Sequence, residues 1–275
     1  MGKNRISNLF QKLKQYKRSG LGIFITAGDP NIKISQWILN ELPQNGADFI
    51  ELGMPFSDPM ADGPVIQASS LRALNAGTNL SKILLMVKKF RKKNNYTPII
   101  LMGYYNPIFI YGVEKFVRES KNAGVDGFII VDLPPEEDQE FFDPVSKSGL
   151  DFIRLITPTT DAKRLKIVLK NSSGFLYYVT ITGTTGTKKA TIKDIKRSLS
   201  LINKFSDLPV AVGFGITTKK QISEISEIAD AAVVGSHIVK FIENSYSEHN
   251  SLNDSTVLNI QNEVKHLSSG IKILE

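Results

Sequence analysis

Short apolar runs alternate with amphipathic stretches along almost the whole chain. Residues 5–17 carry Ile6, Leu9, Phe10, Leu13 and Tyr16 at three- and four-residue spacing, which predicts an amphipathic helix. The pattern then changes to Leu21-Gly22-Ile23-Phe24-Ile25-Thr26, an apolar, β-branched run closed by Ala-Gly-Asp-Pro, as expected of a buried strand and its turn. Further strands are predicted at 47–52, 98–102, 127–131, 151–156, 174–179, 209–213 and 230–234. Helical spacing returns between them, over 32–42, 71–90, 113–122, 161–169 and 218–228. A Ser- and Asn-rich connection at 244–255 precedes a last helix at 257–267. Strands alternating with helices imply a parallel sheet with right-handed crossovers. Eight such units with no break in composition predict one domain over residues 1–275, an α/β fold of the (β/α)8 TIM-barrel kind with an extra N-terminal helix. An open, doubly wound sheet is the competing arrangement.

Composition narrows the function more than the fold. A hydrophobic content of 41% with 22% charged residues is ordinary for a globular chain and supports a sizeable core. The absence of cysteine excludes disulfides, thiolate catalysis and thiolate metal sites. The formal charge of +7 raises nucleic acid as a partner, but the cations are scattered through helical segments. The densest cluster, Lys88-Lys89-Phe90-Arg91-Lys92-Lys93, reads as a solvated helix end complementing the helix dipole. The excess equally suits an anionic small substrate. With no apolar signal core and no bilayer-length apolar run, the chain is expected to be soluble, in a cytoplasm or a plastid stroma, and not a membrane protein.

In a barrel the chemistry lies just after each strand. The second strand runs into residues 51–64, which hold three carboxylates, three prolines and two glycines. Fixed φ at the prolines and sharp turns at the glycines allow Glu51 and Asp62 to be presented at defined angles; capping of surface turns is the plainer alternative. After the seventh and eighth strands come Gly213-Phe214-Gly215-Ile216-Thr217 and Gly235-Ser236, each leading into a helix. There, glycine amides and helix N-termini form a candidate phosphate cradle. Residues 180–189 after the sixth strand, with Gly186, have the small, polar composition of a lid. No predicted strand carries a lysine for a Schiff base, and His237 reads as a helix-end residue with no metal-ligand spacing around it. Carboxylates remain, namely Glu51, Asp62 and Asp132, and two acids in different surroundings can divide donor and acceptor work. Phe24, Met102, Tyr104, Tyr177 and Phe214 fall at strand ends, as the lining of a flat apolar pocket or as core.

Taken in order, several motifs resemble those of the tryptophan synthase alpha subunit family across essentially the full chain. They are Phe24-Ile25-Thr26-Ala27-Gly28-Asp29-Pro30, residues 51–64 with Gln67, Asp132-Leu133-Pro134, Thr182-Gly183-Thr184-Thr185-Gly186, Gly213-Phe214-Gly215-Ile216 and Gly235-Ser236. The resemblance implies retro-aldol cleavage of indole-3-glycerol phosphate to indole and glyceraldehyde 3-phosphate, without metal or cofactor in this chain. It gives Glu51 the role of general acid and base, Asp62 that of partner to the indole N–H, and Tyr177 that of positioning Glu51. Phe24 and Met102 would pack the indole, Phe214 would join the substrate site, and Gly186, Gly213, Gly215, Gly235 and Ser236 would meet the phosphate. Pro55, Asp58, Asp132 and Pro134 would face a beta subunit that carries pyridoxal phosphate, in an alpha2-beta2 assembly. Two departures stand out: Lys188 where many members carry arginine, and His237 where a small residue is usual. A stand-alone lyase that releases free indole and a non-catalytic activator of the beta subunit are the alternative functions.

Overall fold

The computed structural model describes residues 4–180, 191–213, 215–247 and 254–273. Among these, nine strand segments form one parallel sheet: β1 (Gly20–Thr26), β2 (Phe49–Gly53), β3 (Ile99–Gly103), β4 (Gly127–Ile130), β5 (Asp151–Phe152), β6 (Arg154–Ile156), β7 (Leu176–Val179), β8 (Val210–Gly213) and β9 (Ala231–Val234). Their order is β5-β4-β3-β2-β1-β9-β8-β7-β6. The two ends of that order are consecutive in the chain, separated by Ile153 alone, so the sheet curls into a barrel. The single strand predicted at 151–156 is therefore two segments that serve different neighbours: Phe152 pairs with Phe128 on β4, whereas Arg154 pairs with Leu176 on β7. At the break, the Ile153 amide still donates to the Phe128 carbonyl at 2.9 Å.

The strand period of two sorts side chains between two cores. Ile50 and Leu52 of β2 join the layer between sheet and helices, while Phe49 joins the interior with Phe24, Ile100, Met102, Ile129, Ile153, Phe175 and Tyr177. By the same alternation Glu51 points into the barrel. The extra N-terminal helix, α1 (Arg5–Gln15), closes the end of the barrel where the strands begin. It buries Ile6, Phe10 and Leu13, and the Phe10 ring lies 6.2 Å from Phe49 and 5.5 Å from Phe175. Arg5 anchors α1 from outside through Asp126 at 2.9 Å.

Helix boundaries depart from the sequence reading in several places. The stretch predicted as one helix at 71–90 is two, α3 (Pro64–Asn75) and α4 (Leu80–Arg91), with α2 (Ile32–Glu41) before them. Gly77 breaks it at φ 78, a left-handed conformation, and the Asn79 side chain then accepts the Lys82 amide to start α4. The start of α3 reaches back to Pro64, whose missing N–H is no loss in a first helical turn. A short helix, α5 (Tyr105–Tyr111), precedes α6 (Val113–Ala123). The remaining helices are α7 (Gln139–Lys147), α8 (Ala162–Leu169), α9 (Ile192–Ile202), α10 (Lys219–Ser226), α11 (Ser236–Ser247) and α12 (Asp254–Ser268). Residues 244–247 and 254–255, read as loose connection, are thus helical. None of the described helices is long and apolar enough to cross a membrane.

Candidate active site

Glu51 sits in β2 with 0% exposure. Across the sheet its Cα pairs with Phe24 of β1 and Ile100 of β3, both interior residues, so the carboxyl enters an apolar chamber. Neither of its oxygens has a partner in hydrogen-bond geometry. Desolvation accordingly pushes its pKa up to about 8, and the nearby Tyr177 phenol opposes only part of that rise. Tyr177 is itself buried, and both burial and the facing Glu51 charge push its pKa up. Gly213 of β8 makes room for the phenol: a Cβ there would lie 2.2 Å from the Tyr177 hydroxyl. The pair at Glu51 thus depends on a residue that the sequence assigned to phosphate.

Asp62 closes the loop that begins at Met54. Its amide donates to the Pro59 carbonyl at 3.0 Å, and its own carbonyl accepts from Gln67 Nε2 at 2.8 Å. The side chain is only partly buried. Desolvation raises its pKa to about 6, opposed by a hydrogen bond from Tyr104. Tyr104 follows β3 and also accepts the Ala61 amide at 3.0 Å, so one phenol clasps both ends of the Ala61–Asp62 step. The position of Tyr104 after a strand marks it for the pocket, but its tie to Asp62 has no further sequence signal.

Between these groups the structure brings together Phe24, Asp62 and Met102 with Tyr104, Ile66 and Val131 around a cavity of about 20 Å³. That volume suits a single water, so a bicyclic ring enters only as the loop and side chains over it shift. Met102 pairs with Gly53, two residues beyond Glu51 on β2, which puts the apolar lining above the buried acid.

The candidate phosphate loops divide in role. The first turn of α10 is self-satisfied: Thr218 and Gln221 form a capping box, and Gln221 Oε1 also accepts the Thr217 amide at 2.9 Å. Gly215 precedes it at φ 80. By contrast α11 opens at Ser236, an exposed residue, where the first helical amides have no intrahelical acceptor. Gly235 beside it adjoins Phe24, to which an added Cβ would come within 3.5 Å. His237 turns away: its Nε2 lies 2.6 Å from Glu263 Oε1 on α12, so it ties two helices rather than facing this loop. Gly186, Lys188 and the rest of residues 181–190, which include all but Thr180 of the stretch read as a lid, and Phe214 lie outside the described residues.

On the rim, Asp58, Asp132 and Pro134 are exposed, whereas Pro55 is buried. Asp132 Oδ1 accepts the Tyr105 amide at 2.8 Å and so fixes the first turn of α5. Pro55 and Phe56 share a groove of about 610 Å³ with Pro107 and Ile110. Ile110 in this groove is 76% exposed, and Phe109 beside it in α5 and Met60 in the loop after β2 are also exposed, apolar surface of the kind that marks an interface.

Residues 10–269 match the family described as tryptophan synthase alpha chain. The tryptophan synthase subunit alpha from Legionella pneumophila str. Paris is 36% identical, with 98% of each chain covered and a TM-score of 0.89. A structure from Aquifex aeolicus VF5 is also 36% identical, covering 98% of this chain and 100% of that one at a TM-score of 0.88. Tryptophan synthase from M. tuberculosis, in an open form with BRD0059 bound, is 27% identical, with 98% of each chain covered and a TM-score of 0.84. With the barrel described above and this match over residues 10–269, the chain belongs to the tryptophan synthase alpha chain family, whose members are lyase-type enzymes of tryptophan biosynthesis.

Proposed function

We propose that the chain cleaves indole-3-glycerol phosphate to indole and glyceraldehyde 3-phosphate, with Glu51 and Asp62 as the catalytic pair. The observation that carries this reading is the division of state between two carboxyls: one held protonated at neutral pH by complete burial, the other ionised on a half-open loop. Glu51 delivers its proton to C3 of the indole, giving an indolenine with positive charge on the ring nitrogen. Asp62 accepts a hydrogen bond from that N–H and stabilises the charge as it develops. The bond from C3 to the glycerol then breaks, its electron pair returns to the ring, and the glycerol hydroxyl becomes the aldehyde. Glu51, now a carboxylate, takes the hydroxyl proton and is restored, so no proton or electron is left over.

Phe24 and Met102 pack the two faces of the indole, and Tyr177, wedged against Gly213, holds Glu51 in place. The open turn at Ser236 and Gly235 receives the phosphate, with Gly213, Gly215, Phe214 and Gly186 completing the substrate site. The chain needs no metal or cofactor of its own in this mechanism. The rim with Pro55, Asp58, Asp132 and Pro134 docks a tryptophan synthase beta subunit, to which pyridoxal phosphate belongs, in an alpha2-beta2 complex. Indole release from indole-3-glycerol phosphate, assayed with and without a beta subunit, tests the proposal. A slow rate raised by beta and lost in Asp62→Asn is expected; a fast rate indifferent to beta would make the chain a stand-alone lyase, and no indole in either condition would refute cleavage.

A further inference from the structure

Arg154 is a buried cation that the mechanism above does not use. It lies with 4% exposure in β6, a strand whose other two residues, Leu155 and Ile156, are apolar. Its guanidinium stacks on Phe152 with 3.8 Å from its central carbon to the ring centre. One nitrogen, NH1, donates to the Leu133 carbonyl at 3.0 Å; another forms an ion pair with Asp138, which is 1% exposed. Asn171 reaches the same carboxylate at 3.1 and 3.3 Å. Burying a cation this deeply is costly unless its partners are fixed, so the cluster holds the whole turn from Leu133 to Asp138 in one geometry.

Two routes run from that turn to one point. Asp132, next to Leu133, accepts the Tyr105 amide at 2.8 Å. Asp138, through its carbonyl, accepts the Phe141 amide at 3.0 Å and so sets the first turn of α7; from there Glu140 accepts the Tyr105 hydroxyl at 2.7 Å and the Phe141 ring meets Tyr105 edge-on at 6.1 Å. Tyr105 is thus clamped at its backbone by one route and at its ring by the other. Its neighbour Tyr104 is the residue that binds Asp62 and the Ala61 amide.

We propose that Arg154 is a positioning residue for Asp62, acting through the Leu133–Asp138 turn and the Tyr104-Tyr105 pair. The inference deepens the catalytic reading, and its role for Asp62 in cleavage rests on that reading, but the structural coupling does not. The test follows Asp62 directly, by ¹³C NMR titration of its side-chain carboxyl in the full chain. The groups facing that carboxyl and its clasp are Tyr104, Ala61 N–H and, acting on Tyr104, Asp132. Arg154→Met alone strands the Asp138 charge and risks unfolding, so it is made together with Asp138→Asn, and Asp132→Ala cuts the exposed route separately.

Both variants are expected to move the Asp62 midpoint by about 0.5 pH unit or more while leaving Glu51 where it is. Tyr104→Phe should produce a shift at least as large, and adding Arg154→Met/Asp138→Asn to it should produce little more. In the cleavage assay the same variants are expected to lose about tenfold in kcat with KM little changed. An Asp62 midpoint unmoved in both folded variants, or shifts that add fully to that of Tyr104→Phe, would overturn the proposal. Should the wild-type chain not cleave the substrate, the catalytic reading fails while the titration still decides the coupling.

Discussion

At Glu51 a single substitution of environment sets the chemistry. The carboxyl has exchanged water for Phe24, Ile100 and Tyr177, of which only the Tyr177 phenol can hydrogen-bond it, and desolvation outweighs that one contact. A carboxyl with a pKa raised from 4.5 to about 8 is a proton donor at pH 7. Asp62, raised from 3.8 to about 6, is an anion at the same pH. The required state has Glu51 protonated and Asp62 ionised, so it is populated between the two values and lost on either side. The profile of kcat/KM against pH should therefore be a bell, rising through about 6 as Asp62 ionises and falling through about 8 as Glu51 loses its proton. Steady-state indole release across pH 5 to about 9.5 checks this, and a profile flat through that range would contradict the assignment. The two acids were legible in the sequence because they end a strand and interrupt a proline-rich loop. Their unequal environments were not, since parity places Glu51 inside the barrel only once the register of β2 is known.

Among elements, α1 does work that its amphipathic pattern only hinted at. Sequence spacing gave its apolar face but not what that face covers, because the interior of the barrel is formed by residues far apart in the chain. Phe10 meets Phe49 and Phe175, which belong to β2 and the approach to β7. Phe10→Ala should lower stability by about 3 to 5 kcal/mol, read from denaturant midpoints, while indole release per folded molecule stays near wild type. Loss of less than about 1 kcal/mol would mean that α1 merely lies on the barrel. The strands themselves were legible almost throughout, since each is a short continuous apolar run. The misread stretch at 71–90 failed for a local reason: apolar spacing continues on both sides of Gly77, and only the left-handed turn there and the Asn79 cap divide it. The break at Ile153 escaped because Phe152, Ile153, Leu155 and Ile156 carry the apolar run across it, and the halves are told apart by which neighbour they bond.

For the molecule as a whole, the asymmetry between the two ends of the barrel organises function. One end is sealed by α1; the other presents the loop that carries Asp62, the open start of α11 and an apolar rim. Positive charge, which sequence alone left ambiguous, gathers at the end of α4, where Lys88, Lys89 and Arg91 share the last turn. The rim groove pairs Phe56 with Ile110, and a partner docked there would sit directly over the loop that carries Asp62. Ile110→Asp should weaken stimulation by a beta subunit about tenfold or more in titrations of indole release, with the partner-free rate unchanged. Equal stimulation of both proteins would move the interface elsewhere. The central claim, that Glu51 is the proton donor and acceptor of the cleavage, is most directly tested by the rate of indole release in Glu51→Gln, a variant of nearly the same shape that cannot give or take the proton. A fall of about 1,000-fold with the fold intact is the expected result, and a rate within about threefold of wild type would contradict the account.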